Sequence, residues 1–368
     1  MSESGSVSRE TSTPSSVPGA SGEDPAVEEG DDPEWASVGR GVSRETRGTL
    51  DVSSPGVRSL NGDGGPRRTT VVSRETSVAE TGAETQAVVS PVPEQEPETT
   101  HGWSGTRIMT VANQKGGVGK TTSTVNIAAA MARAGLRVLV IDMDPQGNAS
   151  TALSIPHLSG TLGIYDVLLD GVPLEDVVVE SPHVPGLLGA PATIDLAGAE
   201  IELVPLVARE NRLRRALDAY LDSRPAGQAV DLVLIDCPPS LGLLTVNAFC
   251  AAREVLIPIQ CEYYALEGLS QLLKNVELIQ QHLNSELRIT TVLLTMFDAR
   301  TRLSADVAGQ VRDYFGPRVL RAAIPRSVRI SEAPSHGETV ITYDPTSTGA
   351  LSYVEAAAEM RQHQEVAV

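Results

Sequence analysis

KGGVGKTT, residues Lys115 to Thr122, is the stretch that decides the fold. It follows the short apolar run RIMTVAN (107–113) and opens the segment KTTSTVNIAAAMARA (120–134). The first reads as a buried parallel strand and the second as a helix ended by Gly135. Between a strand and a helix, such a loop is built to hold phosphate. Its glycines, Gly116, Gly117 and Gly119, let backbone N–H groups turn inward on either side of Val118. The helix N-terminus adds partial positive charge. Lys120 is placed to reach the β- and γ-phosphates of a nucleotide and Thr121 to hold Mg²⁺. Lys115 is surplus to that recipe.

The rest of the chain alternates in the same way. RVLVIDMD (137–144), IELVPL (201–206), DLVLIDCPP (231–239), EVLIPIQ (254–260) and RITTVLLTMFD (288–298) read as further buried strands. Helices are expected at 209–222, 241–252, 265–283, 303–315 and 348–362. The fold class is therefore α/β, a mostly parallel twisted sheet with helices on both faces. Asp236 ends the run LVLI, where a carboxylate at a strand's C-terminal end can reach the Mg²⁺ shell. Asp142 and Asp144 end the second strand in IDMDPQGN. Strand alternation would send both to one side, where a carboxylate can orient or polarise an attacking water.

Composition divides the chain. Of the formal charge of −18, about −10 lies in residues 1–100, which hold Trp35 as their one aromatic residue. Ser, Thr, Gly, Pro and Glu dominate there. Such a segment buries too little apolar surface to offset ordering entropy, so residues 1–105 are expected to be a disordered acidic tail and 106–368 the folded domain. Cys237, Cys250 and Cys261 lie singly in apolar or helical context, which suggests a reducing compartment and neither a disulfide framework nor a metal-ligand spacing. No apolar run is long enough to span a membrane, so a soluble protein is expected.

Together KGGVGKTT, IDMDPQGNAS, DCPPSLG and TMFDARTRLS resemble the ParA/Soj chromosome- and plasmid-partitioning ATPases, and IPRSVRISEAPSHG and YDPTSTGA add to the match. The resemblance covers roughly residues 107–362. It implies a deviant-Walker nucleotide-hydrolase fold and a cytoplasmic, nucleoid-associated ATPase, weak alone and stimulated by a ParB-like centromere-binding protein. It implies ATP and Mg²⁺ as cofactors and a homodimer that forms on ATP binding. In that dimer Lys115 would reach the partner's nucleotide, much as an arginine finger does. Lys120 would bind phosphates in cis, Thr121 would ligate Mg²⁺, and Thr122 would contact the α-phosphate. Asp144 matches the water-activating carboxylate, with Asp142 beside it, and Asp236 would act through a Mg²⁺-bound water. The base should lie near Met296–Phe297 and Pro325–Ser327; many members carry Asn where Ser327 stands. A MinD-like membrane-associated ATPase shares the loop, but the acidic, Ala-rich ending SYVEAAAEMRQHQEVAV is unlike a basic amphipathic membrane helix, and no stable membrane association is expected.

Family members bind double-stranded DNA without sequence preference. Residues 300–329 hold seven arginines against Asp306 and Asp313, a surplus of five. Arg300 and Arg329 match family positions implicated in DNA binding, Arg326 lies between them, and about half of the arginines are expected to form only surface ion pairs. In the tail, VSRET occurs at 7–11, 42–46 and 72–76. A linear interaction motif is the ordinary reading, and a polar or cytoskeletal partner is one such binder. The pentapeptide can also be encoded by GTTTCACGTGAAAC, a palindrome that resembles the sites bound by the family's ParB partner.

Overall fold

The computed structural model describes residues 105–263 and 268–362. The acidic tail with its VSRET repeats lies outside the described residues, as do 264–267 at the start of one expected helix and the last six residues.

Eight strands form one sheet: β1 (Arg107–Val111), β2 (Val138–Asp142), β3 (Val179–Glu180), β4 (Leu187–Ala190), β5 (Leu232–Asp236), β6 (Glu254–Gln260), β7 (Arg288–Phe297) and β8 (Val319–Pro325). Their spatial order is β3-β4-β2-β5-β1-β6-β7-β8, and every pairing is parallel except β3 with β4. The central strands are buried along their length, which is why they read as apolar runs rather than alternating patterns. The chain moves from β1 to one side of the sheet and from β5 to the other. That reversal opens a crevice at the C-terminal ends of the central strands, the usual ligand position in such sheets.

Helices cover both faces. On one lie α1 (Lys120–Arg133), α2 (Asn148–Ala152), α9 (Val328–Glu332), α10 (Val340–Tyr343) and α11 (Thr348–Gln362). On the other lie α3 (Ile164–Leu169), α4 (Leu196–Glu202), α5 (Arg212–Asp222), α6 (Leu243–Ala251), α7 (Leu269–His282) and α8 (Arg302–Phe315). Helix α1 is buried almost all round, from Ser123 to Ala132, because α11 covers the side that the sheet leaves open. Its alanine run permits that close approach. Gly135, at φ 91°, ends it in the left-handed conformation.

One expected strand is absent. Residues 201–206, expected to be a strand, are the end of α4 and the turns after it, with Ile201 and Val204 exposed. A short apolar run does not distinguish strand from helix end. The strand that occupies the sheet there is β4, whose Gly189 has no side chain and so dilutes the apolar signal. The side chain of Ile155 occupies the space a Cβ would need. Strand β8, which closes the opposite edge, was not expected from the sequence.

Candidate nucleotide site

The phosphate-binding loop is fixed at its entry, middle and exit. Ahead of it Asn113, 6 % exposed, donates from Nδ2 to Pro258 O on β6 (2.8 Å) and accepts the Lys115 N–H at Oδ1 (3.1 Å). In the middle, Thr295 Oγ1 on β7 donates to Val118 O (2.8 Å). Gly117 and Gly119 hold φ of 73° and 88°, where a side chain would be strained. Gly119 is the N-cap of α1, so the first-turn amides of Lys120, Thr121 and Thr122 begin there with no side-chain cap.

Lys120 is 6 % exposed, and its Nζ donates to Lys115 O (3.3 Å). Burial lowers its pKa, while Asp236, Cys237 and Asp144 pull it back up. Lys115 differs. It is half-buried, and its ammonium has no hydrogen-bond or ion-pair partner among the described residues.

Asp236 is fully buried. Its Oδ1 accepts Thr124 Oγ1 (3.0 Å), the Thr121 hydroxyl also stabilises its charge, and Oδ2 has no hydrogen-bond partner among the described residues. Burial first, and then the Asp142 carboxylate, push its pKa far above the usual carboxylate range. Register explains the second cause: Asp142 of β2 pairs directly with Asp236 of β5, placing two carboxylates side by side. A buried acceptor with a vacant lone pair, beside the Thr121 hydroxyl and the loop, suits a Mg²⁺ shell.

The segment after β2 divides the two acids by task. Strand β2 ends at Asp142, so the turn rather than strand alternation places Asp144. Asp142 accepts Ser150 N (2.9 Å) and Ser150 Oγ (2.7 Å) at Oδ2, and Asp144 N (3.2 Å) at Oδ1. Ser150 Oγ in turn accepts Ala192 N (3.2 Å). Both oxygens of Asp142 therefore hold the segment in shape, whereas Asp144 engages Gln146 N (3.0 Å) through Oδ1. Asp144 also lies close enough to Lys120 to raise its pKa.

At the far side of the same edge Phe297 pairs with Pro325, and Arg326 N donates to Phe297 O (3.4 Å). Met296 holds φ 51°, a left-handed conformation uncommon for a residue with a side chain. Ser327 is the N-cap of α9. Met296, Pro325 and Ser327, separated in the chain, thus meet at the C-terminal ends of β7 and β8.

The arginine cluster is weaker than its sequence count. Arg300 pairs with Asp298, Arg302 with Asp306, Arg321 with Glu359, Arg326 with Glu262, and Arg329 with Glu332 and Asp344. More than half carry an ion pair, and most of the partners lie outside 300–329. The surplus of five counted along the chain is accordingly reduced by carboxylates brought in by the fold. Arg300 and Arg302 remain 89 % and 96 % exposed at the side chain, with their guanidinium groups in solvent.

Sequence reasoning missed Asn113, Thr124, Ser150 and Thr295. Thr124 carried a signal, standing one helical turn after Lys120 and so facing the same way. Thr295 carried none.

An AAA domain model matches residues 106–289. The chain is 53 % identical over 254 residues to the sporulation initiation inhibitor protein Soj of Bacillus subtilis, covering 69 % of this chain and 98 % of that protein. It is 48 % identical over 260 residues to the chromosome partitioning protein ParA of Myxococcus xanthus, covering 70 % and 89 %. Among solved structures it resembles cobyrinic acid a,c-diamide synthase from Mycobacterium smegmatis with bound ADP and magnesium, at TM-score 0.60 and 39 % identity, covering 70 % of this chain and 95 % of that one.

Proposed function

We propose a function that proceeds from one fact: this chain belongs to the ParA/Soj family of chromosome-partitioning ATPases. It is an ATPase of the partitioning kind, with ATP and Mg²⁺ as its nucleotide and metal. When bound, the metal would supply positive charge against the phosphates of the nucleotide. The residues that would hold it are Thr121 directly and Asp236 through water. Lys120 and the loop amides of Gly116 to Thr122 bind the phosphates. Asp144 orients the attacking water, and Asp142 keeps the Asp144 turn in place. Met296, Pro325 and Ser327 border the base. Residues 106–368 form the ATPase domain, and residues 1–105 stand outside it.

Two ATP-bound copies form a sandwich dimer, and Lys115 reaches the partner's nucleotide. One observation carries this reading: of the two loop lysines, Lys120 is buried and held by its own loop, while the half-buried Lys115 has no side-chain partner among the described residues. Exposed apolar side chains on and beside α4, Ile194, Ile201 and Val207, add support, since an apolar group of this kind marks an interaction surface. The dimer binds double-stranded DNA through phosphates, with Arg300, Arg326 and Arg329 as contacts, and a ParB-like protein stimulates hydrolysis and release. That cycle on the nucleoid drives segregation. A MinD-like membrane role is disfavoured, because α11 turns Ala350, Tyr353, Ala357 and Met360 into the core.

Sedimentation with ATP tests the dimer. Lys115→Ala should bind ATP and stay monomeric; dimers at wild-type affinity would refute the trans role.

A further inference from the structure

The VSRET repeats are not absorbed by this function. The described fold begins at Gly105, its first described strand begins at Arg107, and nearly the whole length of the Bacillus relative is matched by only 69 % of this chain. All three repeats lie before the described fold, within residues 1–76. Three identical pentapeptides there still need a cause. Their neighbours differ: Ser6 and Ser12 flank the first, Gly41 and Arg47 the second, Val71 and Ser77 the third.

The genetic code supplies one. With the fourfold Ser and Arg codons, Val-Ser-Arg-Glu-Thr is written GTN TCN CGN GAR ACN. Fold its first fourteen bases about their midpoint. Five base pairs are then set by the amino acids alone (G with C, T with A, T with A, C with G, C with G), and all five are complementary. Independent bases would do this roughly once in a thousand. The two remaining pairs each involve a codon third base and are free to match. Symmetry can extend by one further pair, through the third base of the preceding codon and that of Thr. In the first copy it must stop there, because the second base of a Ser6 codon cannot pair with the first base of any Ser12 codon.

We infer that the gene segments encoding residues 7–11, 42–46 and 72–76 are three copies of an inverted-repeat DNA site, read by a two-fold symmetric DNA-binding protein. Protein symmetry and operator symmetry mirror each other, and each half-site is about seven base pairs. The amino acids are then a consequence of the bases. That the reader is the ParB-like partition partner rests on the function proposed above; that the bases form an inverted repeat does not.

The test needs no change to the protein. Sequencing the gene should show complementary third bases, the same in all three copies; independently drawn third bases would overturn the inference. A synonymous allele that keeps VSRET but breaks the symmetry (AGC for Ser, AGA for Arg) makes an identical chain. Native segments should be protected in an in-cell footprint, and the synonymous allele should lose that protection. Duplexes carrying it should bind the purified ParB-like protein at least ~10-fold more weakly, since mismatched pairs in a site each cost about that much or more. Equal protection of both alleles would overturn the inference. Protection of the native allele that persists when the ParB-like gene is deleted would leave the inverted repeat standing and overturn the assignment of its reader.

Discussion

Replacing Asp236 by Asn should reverse its effect on stability between acidic and alkaline pH. The carboxyl is fully buried, lies beside Asp142 in the next strand, and has one oxygen without a hydrogen-bond partner among the described residues. Its folded-state pKa is raised from 3.8 to about 8. A raised carboxyl keeps its proton in the fold after the unfolded chain has lost it. The stability linked to that proton is therefore complete below about pH 4 and is lost as pH climbs through about 8. At ~1.4 kcal/mol per pH unit, the nucleotide-free wild type should lose about 4 kcal/mol between pH 5 and pH 8 through this group. Asn cannot ionise, but its amide meets no acceptor where Oδ2 now sits, a cost of ~1–3 kcal/mol at every pH. Asp236→Asn should thus be less stable than wild type near pH 4, by about 1–2 kcal/mol, and more stable at pH 8–9, by about 2–4 kcal/mol. Urea unfolding followed by circular dichroism, in EDTA and without nucleotide, measures both. A stability difference that does not change with pH would refute the reasoning. With Mg²⁺ and ATP, the wild type should regain stability that the variant does not, because the metal favours the charged carboxylate.

Three further outcomes are expected. Asp144→Ala should bind ATP, dimerise and hold DNA but hydrolyse slowly; unchanged turnover in a phosphate-release assay would remove it from the water-orienting role. Ser150→Ala deletes the Oγ bond to Asp142 and the acceptor of Ala192 N, so the domain should lose about 1–3 kcal/mol in urea unfolding, and its ATPase rate should fall because the Asp144 turn loosens. Alanine at both Arg300 and Arg329 should weaken ATP-dependent DNA binding and flatten its salt dependence, read by gel shift across a salt series, while DNA coating at wild-type level would show that these guanidiniums serve their ion pairs alone.

Much of the site was legible because its chemistry is local. A glycine-rich loop between a strand and a helix is a continuous stretch, and Lys115, Lys120, Thr121 and Asp236 sit where hydrophobic runs end. The misread segment, 201–206, is one where local pattern has no force: a short apolar run at a helix end looks like a strand until its neighbours are known. The strand that took its place contains a glycine whose missing side chain makes room for Ile155.

The sequence by itself determined the α/β class, the phosphate-binding loop and the acids near it, because each depends on spacing along a few residues. Tertiary structure alone decided how those acids behave. Burial raises the pKa of both Asp142 and Asp236, and the register of β2 against β5 adds the charge of Asp142 to the forces on Asp236, a neighbour that no spacing along the chain encodes. The fold likewise assigned Asp142 to the backbone of its loop and left Asp144 the freer acid. It drew Glu262, Glu332, Asp344 and Glu359 toward arginines that had looked like an unopposed positive cluster. Charge and desolvation act through space, so they are settled only when the chain has folded.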